Sequence, residues 1–314
     1  MSKSEPIVTE GKQIGKLKAS WLLFKESWRY LNADKEMVLI PLIASILNLL
    51  LFGLVMGLCV VVFWGGDFSM SKEGEPLNSL ELMFVLLLYI VSAFTLAISQ
   101  SGIAHTVNVR AHDGDSTLGQ ALNAAFSRWY QLLIWSVITA TVGLFLRMIV
   151  ERSKLLGRIV AYIAGAAWAI VTYFVVPSII IGNKSAFASI GHSKEVFKST
   201  WGETFVSNIS LGLTFLVAHL LAIITFIGLV VMFSVFDMAI LIPLVFVGYV
   251  LWVIVAVLVQ SSLEAILKTL LYIYATERTF PPNFNPEILE KMLNRKDVQL
   301  PPLASVPKFD AGNN

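Results

Sequence analysis

The run AYIAGAAWAIVTYFVVPSIII fills residues 161–181, and the polar turn Gly182-Asn183-Lys184-Ser185 follows it. The mixed segment AFASIGHSKEVFKSTWGE comes next, over residues 186–203. The first piece is apolar, with a late proline at Pro177, and is as long as the roughly 20 residues a helix needs to cross a bilayer's hydrocarbon. The last piece has a helical pattern too polar to cross, which places it at a membrane surface. The same order, a surface helix beside spanning helices, recurs along the chain and decides the fold class.

Charge placement gives the number of spans. Charged residues make up 14% of the 314 residues and hydrophobic ones 56%, with mean hydropathy +0.75. A soluble domain carries about a quarter of its residues as charges. Six windows hold no Asp, Glu, Lys or Arg: Met37 to Gly66, Leu82 to Val109, Trp129 to Leu146, Ile159 to Asn183, Thr204 to Phe236 and Met238 to Leu263. Backbone groups in hydrocarbon must bond within their own segment, so each window is a helix. The reading is all-α, a polytopic membrane protein with spans at about 38–64, 80–104, 129–147, 159–181, 205–235 and 239–263. These lie in a membrane domain, 16–276, between a flexible N-terminus, 1–15, and a partly disordered tail, 277–314. The tail carries six prolines.

Surface helices stand outside these spans. Leu17, Trp21, Phe24, Trp28 and Leu31 recur at intervals of four and three and line one helical face. With Lys16, Lys18, Lys25 and Arg29 elsewhere, that helix reads as interfacial; packing on the bundle is its alternative. Trp129 and Trp201 mark two further surface elements. Phe24-Lys25-Glu26-Ser27-Trp28 aligns with Phe197-Lys198-Ser199-Thr200-Trp201, and Ser20 and Ser193 each stand eight before the tryptophan. A weaker copy ends in Arg128-Trp129. The reading is three units of surface amphipathic helix plus helical hairpin, all pointing the same way, in a three-unit or ring-like bundle. Gly53 and Gly57 form a small-xxx-small pair suited to close helix approach. Thr117 and Gln120 have the spacing of a capping box.

Basic residues set the orientation. Seven precede the first span, and Lys184, Lys194, Lys198 and the C-terminal bases lie on the same side. The basic-residue rule then places both termini in the cytoplasm. The connection Arg147 to Arg158, with four bases on the other side, goes against the rule.

The net charge of +2 carries no nucleic-acid footprint, and Cys59, the single cysteine, excludes an internal disulfide. His105, His112, Asp113 and Asp115 do not fix a metal geometry. Nucleotide-binding, nucleophile-elbow and zinc-protease motifs are absent from the sequence. No catalytic residue, cofactor or metal is expected. The polar positions singled out are Arg110, Arg147, Glu151, His219 and Glu264; His219 lies deep in a span, where a polar group needs a partner. Lys268, Tyr272 and Tyr274 suit a headgroup zone. The expected role is non-enzymatic: binding a protein partner or a second copy, or organising membrane lipids. A solute or ion path near His219 is the alternative.

Several stretches carry a resemblance: Ser20-Trp21 through Pro41, Ala140 to Arg147, Gly165-Ala166-Ala167-Trp168, Phe174-Val175-Val176-Pro177 and Lys198 to Glu203. They resemble an uncharacterised family of prokaryotic six-span membrane proteins, grouped under a domain of unknown function. The repeat unit is more loosely similar to the membrane domains of some glycerophosphodiester phosphodiesterases, without their soluble catalytic domain. The resemblance implies a six-span fold in a bacterial inner membrane and carries over no catalytic residue. Gly182-Asn183 departs from the acidic residue common there in such relatives.

Overall fold

The structure is a computed structural model that describes residues 16–64, 78–153, 155–200 and 211–277. The expected N-terminal flexible segment, Trp201 and the proline-rich tail beyond Glu277 lie outside these residues. The described chain is helical, with no strand.

In chain order the helices are α1 (Lys16–Ala33), α2 (Leu39–Trp64), α3 (Ser79–Ala111), α4 (Leu118–Ser127), α5 (Trp129–Arg152), α6 (Leu155–Val171), α7 (Val175–Ile180), α8 (Ala186–Thr200), α9 (Leu211–Val235) and α10 (Ile242–Glu277). Among the described residues six stretches are long and apolar enough to cross a membrane, with α6 and α7 together making one of them.

Local chemistry sets the boundaries. The Asn78 side chain accepts from the backbone N–H of Leu80 and Glu81, and Glu81 accepts from the Asn78 N–H, so α3 starts in a capping box. Thr117 and Gln120 do the same for α4. The Glu36 carboxylate accepts from the Leu118 N–H at 3.3 Å, adding a negative charge to the α4 N-terminus. Asp113, Asn183 and Asp237 have φ of 59°, 53° and 54°. Asp and Asn tolerate that left-handed region better than other side-chain-bearing residues, and all three sit where a helix ends and the chain reverses.

Inside hydrocarbon, helices gain nothing hydrophobic by meeting one another. The first half of α10 accordingly has no buried residue, while from Ser262 to Ala275 only Ser261's successors Glu264 and Lys268 escape full burial. Leu49, Leu50, Leu221 and Leu251 are all more than half exposed. Counting about 20 residues from the far ends of α3, α5, α6 and α10 reaches Ser99, Leu132, Val175 and Ser262; on α10 the buried residues begin there, whereas α3, α5 and α6 also bury residues on the hydrocarbon side, among them Thr95, Ala140 and Ala161. Beyond that level, apolar side chains would face headgroups and water, so they pack. Phe174, fully buried, lies 4.9 Å from Tyr173, 6.0 Å from Tyr272 and 6.5 Å from Phe197, ring centre to ring centre. We call this the packed end; α1, α4 and α8 gather there around α3 and the second half of α10.

The three pairs of spans are not arranged as an equivalent ring. α3 is central, against α2, α4, α5, α7 and α10, whereas α9 packs chiefly on α10 and α1. Gly53 and Gly57 are exposed, with nothing within 4 Å of where a Cβ would stand. Their face is open, not a close helix contact; Asn48 and Thr95, 3.1 Å apart, join α2 to α3 instead. Among the α1 side chains described, Ser27, Tyr30 and Leu31 are buried, while Trp21 and Trp28 are 56% and 42% exposed. Phe24 stacks between those two tryptophans and meets Phe215 of α9 edge-on. Tyr272 and Tyr274, expected among headgroups, are packed inside.

Candidate functional site

The polar residues singled out from the sequence do not come together. Arg110 is at the packed end, 3.3 Å from Asp34 and 3.2 Å from Asp115. Arg147 is at the far end, donating to Glu151 and, at 3.1 Å, to the Tyr89 hydroxyl. Tyr89 and Arg110 are both on α3, so the two arginine sites are about 32 Å apart along its axis at 1.5 Å per residue. His219 bonds through Nδ1 to the Phe215 carbonyl of its own helix at 2.8 Å, and its ring meets Trp252 edge-on at 5.2 Å. Glu264 is exposed and accepts from Gln260 at 2.9 Å. Among the described residues no group of His, Cys, Asp and Glu is placed to hold a metal ion.

A different set does converge. A cavity of about 330 Å³ lies between α3, α5, α6, α7 and α10, walled by Gln100, Trp135, Thr139, Trp168, Tyr173 and Lys268. Trp135 and Trp168 stack along one side, 6.1 Å apart and 19° from parallel. The Lys268 ammonium is 3.4 Å from the Gln100 Oε1 and 5.1 Å from the centre of the Tyr173 ring. Glu264, one helical turn earlier, accepts from Gln260, and its charge also acts on Lys268. Among the described residues no carboxylate comes within the 4.0 Å of an ion pair with Lys268. A partly desolvated cation is costly without compensation; a carbonyl-type oxygen and an aromatic face supply part of it here.

The break between α6 and α7 builds the cavity wall. Pro177 has no N–H for the carbonyl four residues back, and its ring crowds that position. The helix therefore opens at 172–174, one turn before the proline. Ser193 of α8 fills the gap: its hydroxyl donates to the Val171 carbonyl at 2.7 Å and accepts from the Phe174 N–H at 3.0 Å. Tyr173 and Phe174 are thereby turned toward α10.

Two histidines tie down the packed end outside the spans. His112 bonds through Nδ1 to the Asn108 carbonyl at 2.8 Å and through Nε2 to Glu277 at 3.2 Å. The backbone bond to Asn108 and the Glu277 carboxylate raise its pKa above the ordinary value. His192 faces the Tyr272 hydroxyl at 3.3 Å, and burial, aided by Lys184, lowers its pKa.

Sequence reading missed the cavity. Gln100 drew no notice, and Lys268 read as a headgroup contact. One signal was present: Lys268 is the only basic residue between Ser262 and Ala275, where nearly every neighbour is apolar.

Residues 79–280 match DUF6159, described as a family of unknown function. The chain belongs to that family. The match spans α3 to α10 and so contains every wall of the cavity. No curated protein and no solved structure matches the chain.

Proposed function

We propose that this DUF6159 protein is a non-enzymatic membrane protein that binds a partner, a second copy or membrane lipids at its packed end. The observation that carries this is the exposure of Trp21, Trp28 and Trp129, at 56%, 42% and 52%, all at that end. Tryptophan has an apolar body and one polar N–H, which suits a membrane interface or a protein contact. α1 is both docked on the bundle and aromatic on its outer side, as an interfacial helix needs to be. The separation of Arg110 from Arg147 and the local bond of His219 favour this role over a polar path through the bundle.

The basic residues near α1, α8 and the C-terminal part support a cytoplasmic packed end and cytoplasmic termini. The resemblance to prokaryotic six-span proteins supports a bacterial inner membrane. The likeness between the Trp28 and Trp201 stretches supports three related units that have diverged in their packing.

The test is reconstitution at low density in liposomes. Self-association by single-molecule counting, or a change in lipid order around the protein, with solute and ion flux equal to that of empty liposomes, is the expected result. Flux above that background, or an isolated monomer with no effect on lipid order, would overturn the reading.

A further inference from the structure

We infer that the Lys268 cavity is a binding site for one anionic membrane lipid, its oxyanion held by Lys268 and Gln100 and its upper chain lying along Trp135 and Trp168. The inference rests on the membrane reading of the spans, not on the organising role.

Depth is the first argument. The cavity straddles the level where about 20 residues, counted from the far ends, have crossed the hydrocarbon. Gln100 is one residue past that mark on α3, Tyr173 is two before it on α6–α7, and Trp135 lies three to the hydrocarbon side on α5. Lys268 is six residues past it on α10, and its ammonium stands 3.4 Å from the Gln100 Oε1. A lipid headgroup joins its chain at this depth.

Shape is the second. Leu96, 50% exposed, and the exposed Ala169 stand at the rim, on α3 and α6. Both are apolar and on spanning helices, so the mouth opens sideways toward hydrocarbon. Buried Val176 and the packed rings behind Tyr173 close the opposite side. A volume of about 330 Å³ is at the low end for ligand sites and suits one headgroup edge with part of one chain.

Charge is the third. An ammonium has three N–H donors and Gln100 takes one at most. The remaining donors and the Gln100 amide meet the needs of a carboxylate or phosphodiester oxygen. A single lysine acts as a point charge and does not demand the bidentate geometry an arginine would select. Both oxyanions are therefore accepted, and the experiment separates their sources.

The full chain is placed in nanodiscs of phosphatidylcholine containing a minor fraction of either phosphatidylglycerol or oleate, then released for native mass spectrometry. One retained anionic lipid per protein is expected, enriched over phosphatidylcholine by about fivefold, the scale of one lysine at an anionic surface. Retention of phosphatidylglycerol alone assigns the site to phospholipid; retention of oleate alone assigns it to fatty acid. Lys268→Gln abolishes the enrichment and Lys268→Arg keeps it, each with unchanged helicity and melting. Equal retention of phosphatidylcholine, or enrichment that survives Lys268→Gln, would overturn the inference. Displacement of the lipid by inorganic phosphate would do the same. Should Lys268→Gln fail to fold, a phosphatidylglycerol and an oleate carrying a chain diazirine are crosslinked to the unaltered protein. Label confined to 93–100, 135–139 and 168–176 supports the site; label spread evenly over α2 and α9 refutes it. No enrichment in the unaltered protein, with intact self-association and no flux, fails this inference alone and leaves the organising role standing.

Discussion

The Ser193 hydroxyl on α8 accepts a hydrogen bond from the Phe174 backbone N–H at 3.0 Å and donates to the Val171 carbonyl at 2.7 Å, closing a ladder that Pro177 interrupts. Ser193 is fully buried, so removing its hydroxyl leaves a donor and an acceptor without water to replace it. Ser193→Ala is expected to destabilise the protein by about 1–3 kcal/mol, read as a lower melting temperature in detergent. Ser193→Thr keeps the hydroxyl and is expected to recover part of the loss. A Ser193→Ala melting curve identical to that of the unaltered protein would contradict this bridging role.

Arg110 faces two carboxylates in different settings. The Asp34 side chain is 7% exposed and the Asp115 side chain 87% exposed. Exposed pairs contribute about 0–1 kcal/mol, whereas breaking a fully buried pair costs about 3–5 kcal/mol. Arg110 is partly exposed, so Asp34→Ala should cost about 2 kcal/mol, between those limits, and Asp115→Ala less than about 1 kcal/mol. Chemical denaturation of the two variants side by side checks the order; equal losses would show that burial does not set the strength.

His112 links the end of α3 to the end of α10. Both ring nitrogens face acceptors, the Asn108 carbonyl and the Glu277 carboxylate, and both can donate only in the imidazolium. Asp113 adds attraction, and among the described residues no basic group opposes it. The folded pKa is raised above 6.5. The stabilisation is therefore complete below pH 6.5 and is lost as pH rises through the folded value. Amide exchange at 272–277 should quicken across that rise, modestly because the site is exposed. Glu277→Gln should flatten the profile, and an unchanged profile in that variant would remove Glu277 as the partner.

Gly182 is tolerated for space rather than for its backbone angle. A Cβ there would stand 2.7 Å from the Tyr272 hydroxyl and 2.8 Å from the Ser178 carbonyl. Gly182→Ala should cost about 1–3 kcal/mol by overpacking. Adding Tyr272→Phe removes one obstacle but leaves the carbonyl, so the double variant should regain only part of the lost melting temperature. Full recovery would mean that the tyrosine alone is the obstacle.

The readable parts of this protein were those fixed within one helix or one turn. Charge-free windows showed where helices cross, because hydrocarbon tolerates no unpaired backbone group. Thr117 and Gln120, three residues apart, announced their cap. Gly53 and Gly57 misled because spacing gives the face of a helix without saying what covers it. Trp21 and Leu31 shared a predicted face, yet Leu31 is buried and Trp21 exposed. The docking surface offered by α9 and α10 is narrower than the apolar stripe on α1.

The sequence alone determined an all-helical chain with six membrane-spanning stretches and surface helices between them, since hydropathy and helical period act over short range. Only the tertiary structure decided that α3 is central, that the core collects at one end, and that Lys268, Gln100 and Tyr173 share a cavity. Those residues come from three separate parts of the chain, 73 and 95 positions apart in turn. What brings them together is the break before Pro177 and the packing of apolar side chains where hydrocarbon ends, and neither has a local signature at Lys268.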